Sequence, residues 1–474
     1  ALALWDRRAR RLHLARDRFG EKPLYVGRFD GTLLFGSELK ALRAHPAFRG
    51  EIDPIAMGEM LRLACVPAPL SIYRGVEKLR PGALLTLDAD GTRQEAIWWS
   101  AAEAMRAARA APLEIDEAEA AERLDALLLR TVRSRMVSDA PLGAFLSGGI
   151  DSSAVVAAMQ AASDRPARTF TVAFQEAEYD ESQQAAAIAR HLETDHTELP
   201  VSAADALAIV PDLPRMYDEP FADSSQIPTA LIAKLARESV TVALTGDGGD
   251  EAFAGYNRHA IAAGWGRGAL GWPAFARRAA AGAIRAWPPD RWTRWATGLS
   301  GGRAPKALGD KLWKLADILP LSADAAYDRL IAQWPAPPMA SGRAPIAGEK
   351  PGDRLAPLHG WRLRDAAGYL HDDVLAKVDR ATMASALESR APFLSPEIYA
   401  FAWALPPSLM VRGRAGKVAL RAALARRVPR ALFERPKMGF GVPIADWLRG
   451  PLRDWGESLL SEAALKEDGM LDPA

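Results

Sequence analysis

The chain has 474 residues and a formal net charge of +1, a balance that gives no electrostatic case for a nucleic-acid or membrane-surface partner. With 49% hydrophobic and 25% charged residues it has the composition of a soluble globular protein, and its length suggests roughly two to four domains. The single cysteine, Cys65, excludes an internal disulfide framework; no apolar run approaches the roughly eighteen residues of a membrane span and no signal-peptide pattern occurs, so the cytoplasm is the expected compartment.

Residues 1 to about 100 read as β-rich. Leu2–Trp5, Arg11–Ala15, Pro23–Gly27 and Thr32–Gly36 are short strands separated by Asp- and Gly-bearing turns, followed by short helices around Glu38–Ala44 and Pro54–Leu63 and a last hairpin ending near Trp98. Successive strands of this kind predict hairpins and a partial antiparallel α+β domain. No methionine precedes Ala1 and the last residues are turn-like, so both ends read as incomplete. Residues 101–114, Ala-rich with a break at Ala111-Pro112, read as a linker.

From residue 115 the pattern alternates. An amphipathic helix over about Asp116–Met136 precedes the strand Leu142–Leu146, a helix from Ser152, the strand Thr169–Phe174, a helix from about Asp180 to His191, the segment His196–Val201 and the strand Val240–Thr245. Such alternation predicts an α/β domain with a parallel sheet, helices on both faces, and ligands beyond the carboxyl ends of the strands. Residues 260–360 read as helical cover with no assigned function, and further helices are expected at Asp365–Val374, Asp379–Glu388 and Ala415–Ala425. The seven histidines are scattered, which disfavours a histidine metal site.

Chemistry concentrates in two turns. Ser147-Gly148-Gly149-Ile150-Asp151-Ser152-Ser153 joins the first parallel strand to its helix, offering glycine backbone, hydroxyls and one carboxylate at a helix N-terminus, the makings of a phosphate cradle with a bridging Mg²⁺. Thr245-Gly246-Asp247-Gly248-Gly249-Asp250-Glu251 mirrors it after a later strand, and three acids among three glycines call for a cation to neutralise them. A third stretch, Arg435–Pro443, sets Lys437 in a Gly-rich loop, where a point cation would stabilise charge developing in a transition state. No Gly-x-x-x-x-Gly-Lys-Ser/Thr motif occurs. A cradle of this kind suits transfer of AMP to an acid, followed by attack of a nitrogen nucleophile.

At Ser147–Ser153 the chain resembles the pyrophosphatase loop of the adenine-nucleotide α-hydrolase superfamily. Thr245–Tyr256, Asp218–Ser225 and Pro436–Trp447 narrow the resemblance to the glutamine-hydrolysing asparagine synthetase family, and Ala15–Tyr25 with Ser37–Leu42 are similar to the second half of its glutaminase domain. The resemblance implies a partial Ntn-type glutaminase domain over 1–100 and an ATP-pyrophosphatase domain over 115–474. It implies that Leu146 and Val172 border the adenine with the backbone of Thr245 and Gly246, that Ser147, Gly148, Gly149 and Ser152 hold phosphates, and that Asp151 and Asp250 bind Mg²⁺. Lys437 would stabilise adenylation of aspartate, and Tyr256 would lie near the acyl substrate. Asp247 stands where relatives carry a Glu that serves the β-aspartyl-AMP intermediate, and Ser395 replaces a usual Asp. The family's N-terminal nucleophilic cysteine is missing, so free ammonia is the expected nitrogen source for this chain alone and glutamine that of a longer parent. The expected partners are therefore small molecules, namely ATP, aspartate and glutamine or ammonia, and a homodimer is compatible with this reading. Relatives acting on surface-polymer, peptide or β-lactam precursors leave another acyl substrate open, and a non-catalytic nucleotide-binding remnant is the third reading.

Overall fold

The computed structural model describes residues 1–174, 180–299, 308–339, 355–435 and 441–473. In the N-terminal hundred residues, β1 (Leu2–Asp6), β2 (Arg11–Ala15), β3 (Tyr25–Phe29), β4 (Thr32–Gly36), β5 (Val76–Lys78), β6 (Ala83–Leu87) and β7 (Arg93–Ile97) form two antiparallel sheets, ordered β1-β2-β6-β7 and β4-β3-β5. Side-chain alternation along β3 explains how they stack. Val26 packs with Leu14 and Leu85 between the two sheets, whereas Tyr25 and Phe29 turn the other way onto Leu39, Leu42 and Ala56. Those last residues lie on the helices Leu39–Arg43 and Pro54–Leu63. The second helix starts where its sequence says: Asp53 accepts a hydrogen bond from the Ile55 N–H and Pro54 takes the first helical position.

The connecting residues contain a helix, Ala101–Ala110, capped by Ser100. It lies against the helix Pro396–Ala404, and an aromatic cluster of Phe19, Trp99, Tyr399 and Trp403 with centroid spacings of 4.6 to 5.9 Å ties the two halves of the chain together there.

Beyond it, β8 (Leu142–Phe145), β9 (Arg168–Phe174), β10 (Asp195–Val201), β11 (Val242–Leu244) and β12 (Glu388–Arg390) build a parallel sheet ordered β10-β9-β8-β11-β12. Its two faces are read by period two. Ala144 and Leu244 join a core formed with the helices Glu117–Arg135, Ile150–Ala161 and Val418–Leu424, while Phe145 and Ala243 face the helix Gln226–Arg237. This is the α/β architecture expected from the alternation. Two local expectations fail for tertiary reasons. Glu388 is drawn out of a helix because residues 388–390 pair with β11. The helix expected from Ala415 begins only at Val418, because Ala415–Gly416 pairs with Val411–Arg412 and Lys417 adopts a left-handed backbone at φ 60°. Asp365–Val374 is helical as expected, but as a π-helix continuous with Pro357–Arg364 and Leu375–Ala384, a form that recurs at functional sites.

The two halves meet through buried charge. Lys78 Nζ lies 2.5 Å from Glu219 Oε1, which also accepts from the Tyr25 hydroxyl at 3.1 Å, and Lys22 pairs with Asp379 at 2.8 Å. Burial alone would lower the pKa of Lys78, but the adjacent Glu219 outweighs it and holds the ammonium above the ordinary lysine value. Removing one partner of such a pair strands the other. Lys78→Met is therefore expected to cost about 3–5 kcal/mol in denaturant unfolding of the whole chain; a loss near zero would mean that water reaches Glu219.

Candidate nucleotide and metal site

The order of the sheet puts the two Gly-rich turns side by side, because β8 lies directly between β9 and β11. Leu146 follows β8, is fully buried, and donates its N–H to Phe170 O. Phe145 pairs with Phe170, so Val172 stands level with Ser147 two residues further along. Thr245 and Gly246 follow β11 directly. Thus Leu146, Val172, Thr245, Gly246 and the Ser147–Ser152 turn lie together at or just beyond the carboxyl ends of β8, β9 and β11.

The first turn is held by its own hydroxyls. Ser147 Oγ and Ser152 Oγ lie 3.0 Å apart, Ser147 N–H donates to Ser152 Oγ, and Gly149 N–H donates to Ser147 Oγ. Gly148 has φ +71°, and a Cβ there would press on the Ala185 backbone. Gly149 caps the helix Ile150–Ala161 in extended conformation with no side-chain cap, and a helix N-terminus of this kind suits an anion. The second turn touches the first: a Cβ on Gly246 would sit 2.8 Å from Ser152 N, and one on Gly249 would sit 2.6 Å from Asp151 Oδ1.

Asp151 and Asp250 converge on one cation. Lys417 Nζ contacts Asp151 Oδ2 and lies 2.6 Å from Asp250 Oδ1, with only 7% of its side chain exposed. Burial would lower the Lys417 pKa, yet the two carboxylates overcome this and raise it above the ordinary lysine value. Lys417 is the site residue that sequence reasoning missed. It stood inside an apparent helix, and only the Gly416-Lys417 pair preceding a new helix could have hinted otherwise.

Asp247 lies within the second turn, near Lys377 and Asp250. Burial raises its pKa, opposed by the Thr245 hydroxyl and by Lys377. Lys377 in turn is anchored by Asp223 at 2.7 Å and Ser225 at 2.8 Å, which gives the Asp218–Ser225 stretch a structural task. Tyr256 belongs to an adjoining cluster: its hydroxyl donates to Glu251 Oε1 at 2.6 Å, and its ring lies beneath the Arg258 guanidinium, which pairs with buried Asp365. Arg362, fully buried, donates to the backbone carbonyls of Glu251 and Ala252 and so braces the second turn from behind. Lys437 lies outside the described residues.

Burial, reinforced by the charge on Asp250, pushes the Glu251 pKa up to about 8. A carboxyl that keeps its proton in the fold but loses it in the unfolded chain contributes stability fully present below about pH 4.5 and lost as pH rises through about 8. Glu251→Gln is accordingly expected to flatten the decline of unfolding free energy between pH 5 and pH 8; an unchanged slope would place ionised Glu251 in the fold.

Among the described residues no group of three or more His, Cys, Asp and Glu side chains could hold a metal by itself. Two hard carboxylates aimed at one cation position instead suit Mg²⁺ shared with phosphate oxygens, because that ion keeps octahedral geometry with few protein ligands. No helix among the described residues is long and apolar enough to cross a membrane.

The asparagine synthase family model matches residues 123–474 and the glutamine amidotransferase domain model matches residues 1–99. The chain belongs to the asparagine synthetase family. A putative glutamine-hydrolysing asparagine synthetase of Mycobacterium tuberculosis is 33% identical over 474 residues, covering 96% of this chain and 68% of the relative. Asparagine synthetase [glutamine-hydrolyzing] 1 of Bacillus subtilis is 28% identical, covering 98% and 70%. The amidase chry2 of Gibberella zeae is 24% identical, covering the whole chain and 73% of that protein. The family is one of ligases that make amides at the expense of ATP, so the parallel-sheet cleft belongs to an enzyme.

Proposed function

We propose that the synthetase cleft converts L-aspartate, ATP and ammonia to L-asparagine, AMP and diphosphate through a β-aspartyl-AMP intermediate. The observation that carries this reading is the convergence of Asp151 and Asp250, from two turns at neighbouring strand ends, on one cation position beside the N-terminus of the helix Ile150–Ala161. In this reading the first-turn N–H groups and hydroxyls of Ser147, Gly148, Gly149 and Ser152 receive the phosphates, and Leu146, Val172, Thr245 and Gly246 border the adenine. Asp151 and Asp250 would hold Mg²⁺, which neutralises charge on the departing diphosphate when bound. Lys437 would stabilise the charge that builds during adenylation, Asp247 would serve formation and amination of the acyl-adenylate, and Tyr256 would lie by the acyl substrate. The match of residues 1–99 to a glutamine amidotransferase domain supports glutamine as the physiological nitrogen source, and free ammonium bypasses that step in an assay.

A second reading, amidation or cyclisation of a different carboxylate, draws support from the similarity to amidase chry2 over the entire chain and from Asp247 in place of a longer carboxylate. Diphosphate release with ATP, Mg²⁺, ammonium and a panel of carboxylic acids separates the two. Release with aspartate supports the first reading, release only with another acid supports the second, and none from a folded, ATP-binding chain overturns both.

A further inference from the structure

We infer that Lys417 is a resident counter-cation that holds the Asp151–Asp250 pair in the nucleotide-free cleft and bars free Mg²⁺ from it, so that the metal enters only together with ATP. This deepens the proposed function, since it rests on the assignment of those two carboxylates as Mg²⁺ ligands. The ammonium touches both carboxylates and is nearly excluded from water, so it competes for the very lone pairs that a metal would need.

The surrounding backbone is shaped to place that ammonium. Lys417 takes a left-handed conformation that non-glycine residues adopt only at a cost, and its N–H donates to Phe253 O at 3.0 Å. A Cβ at Gly255 would collide with Asp250 Oδ1 and with the Lys417 stem, and one at Gly416 would collide with Ala254 O. Bare backbone on both sides thus lets the stem pass beneath the second turn.

Occupancy sets the order of binding. The ammonium already fills the position between the two carboxylates, so a hydrated divalent ion would have to displace it as well as shed water, which is costly. ATP brings several negative charges to the helix N-terminus, and the site can then accommodate both cations: Mg²⁺ on the carboxylates and Lys417 turned toward phosphate oxygens. Without the ammonium, free Mg²⁺ would no longer have to displace Lys417 to reach the two carboxylates.

The test uses the full chain, with Lys417→Met to remove the charge at similar volume and Mn²⁺ as the probe of the metal site. Bound Mn²⁺ is counted by electron paramagnetic resonance with and without a non-hydrolysable ATP analogue, and unfolding midpoints are recorded against Mg²⁺ at constant ionic strength. The wild type is expected to bind Mn²⁺ only with the analogue present, and its nucleotide-free midpoint should ignore millimolar Mg²⁺. The variant is expected to bind Mn²⁺ without nucleotide at least about tenfold more tightly than wild type, in line with removal of a buried competing charge, and to regain its lost stability as Mg²⁺ is added. A variant that is destabilised and ignores Mg²⁺, or a wild type that binds Mn²⁺ equally well without nucleotide, overturns the inference. Should the variant not fold, the wild-type comparison alone still decides. If wild type binds no Mn²⁺ even with the analogue, the assignment of the two carboxylates fails first, and that outcome is distinct from the others.

Discussion

Asp151→Asn is expected to lower diphosphate-forming turnover at saturating ATP by about 10²-fold or more, the usual scale for removing one preorganised charge-stabilising group. Two effects coincide at this residue. The amide cannot replace a carboxylate in holding a divalent ion, and Lys417 is left with Asp250 as its remaining carboxylate contact. The matching control is Asp446→Asn, a carboxylate 78% exposed in a loose surface pair with Arg449 at 3.6 Å, which should leave turnover unchanged because such pairs contribute little. Turnover of Asp151→Asn within a few-fold of wild type would remove this carboxylate from the chemistry.

Gly246→Ala is expected to weaken ATP binding at least about tenfold and to cost about 1–3 kcal/mol of stability, the range for forcing an extra carbon into a packed position. Its Cβ would meet Ser152 N at 2.8 Å and Asp151 Cβ at 2.9 Å, so the second turn and the N-terminus of the helix Ile150–Ala161 would be pushed apart. Neither neighbour is a flexible side-chain end that can step aside. Gly282→Ala gives the contrast: it lies in the helix Ala274–Arg285 with nothing within 4 Å of the added carbon, and should be neutral or stabilising. Calorimetric ATP titration and denaturant unfolding of the two variants test the pair, and equal ATP affinities would show that the turns do not touch in solution.

The two Gly-rich turns that meet at the strand ends were legible in the sequence because their determinants are local. Ser147–Ser152 and Thr245–Glu251 each place glycine, hydroxyl and carboxylate within a few residues of a strand end, and the β–α alternation around them announces the parallel sheet. The helix Pro54–Leu63 was equally plain, since Asp53 and Pro54 mark its start. What escaped depends on distant partners. Glu388 reads as helix until β11 supplies a pairing edge. Lys417 reads as one more helical residue, and its task exists only because Asp151 stands 266 positions earlier in the chain. The ion pairs of Asp218, Glu219 and Asp379 with Lys40, Lys78 and Lys22 of the N-terminal half were likewise invisible as pairs, though Asp218–Ser225 stood out among the stretches that carry the resemblance.

The strand order β10-β9-β8-β11-β12 has a bearing on how the enzyme comes into being. β8, which launches the Ser147–Ser152 turn, acquires its neighbour β11 only after about a hundred further residues, and β12 closes the sheet edge much later still. Contacts of such long sequence separation form late, after the loop-closure entropy has been met. A chain emerging from synthesis therefore carries the complete Ser147–Ser152 turn sequence long before it has the sheet around it, and the two carboxylates meet their ammonium only when residues up to 417 are in place. Nucleotide binding should accordingly be acquired abruptly and near the end of folding, so that half-made chains do not capture ATP.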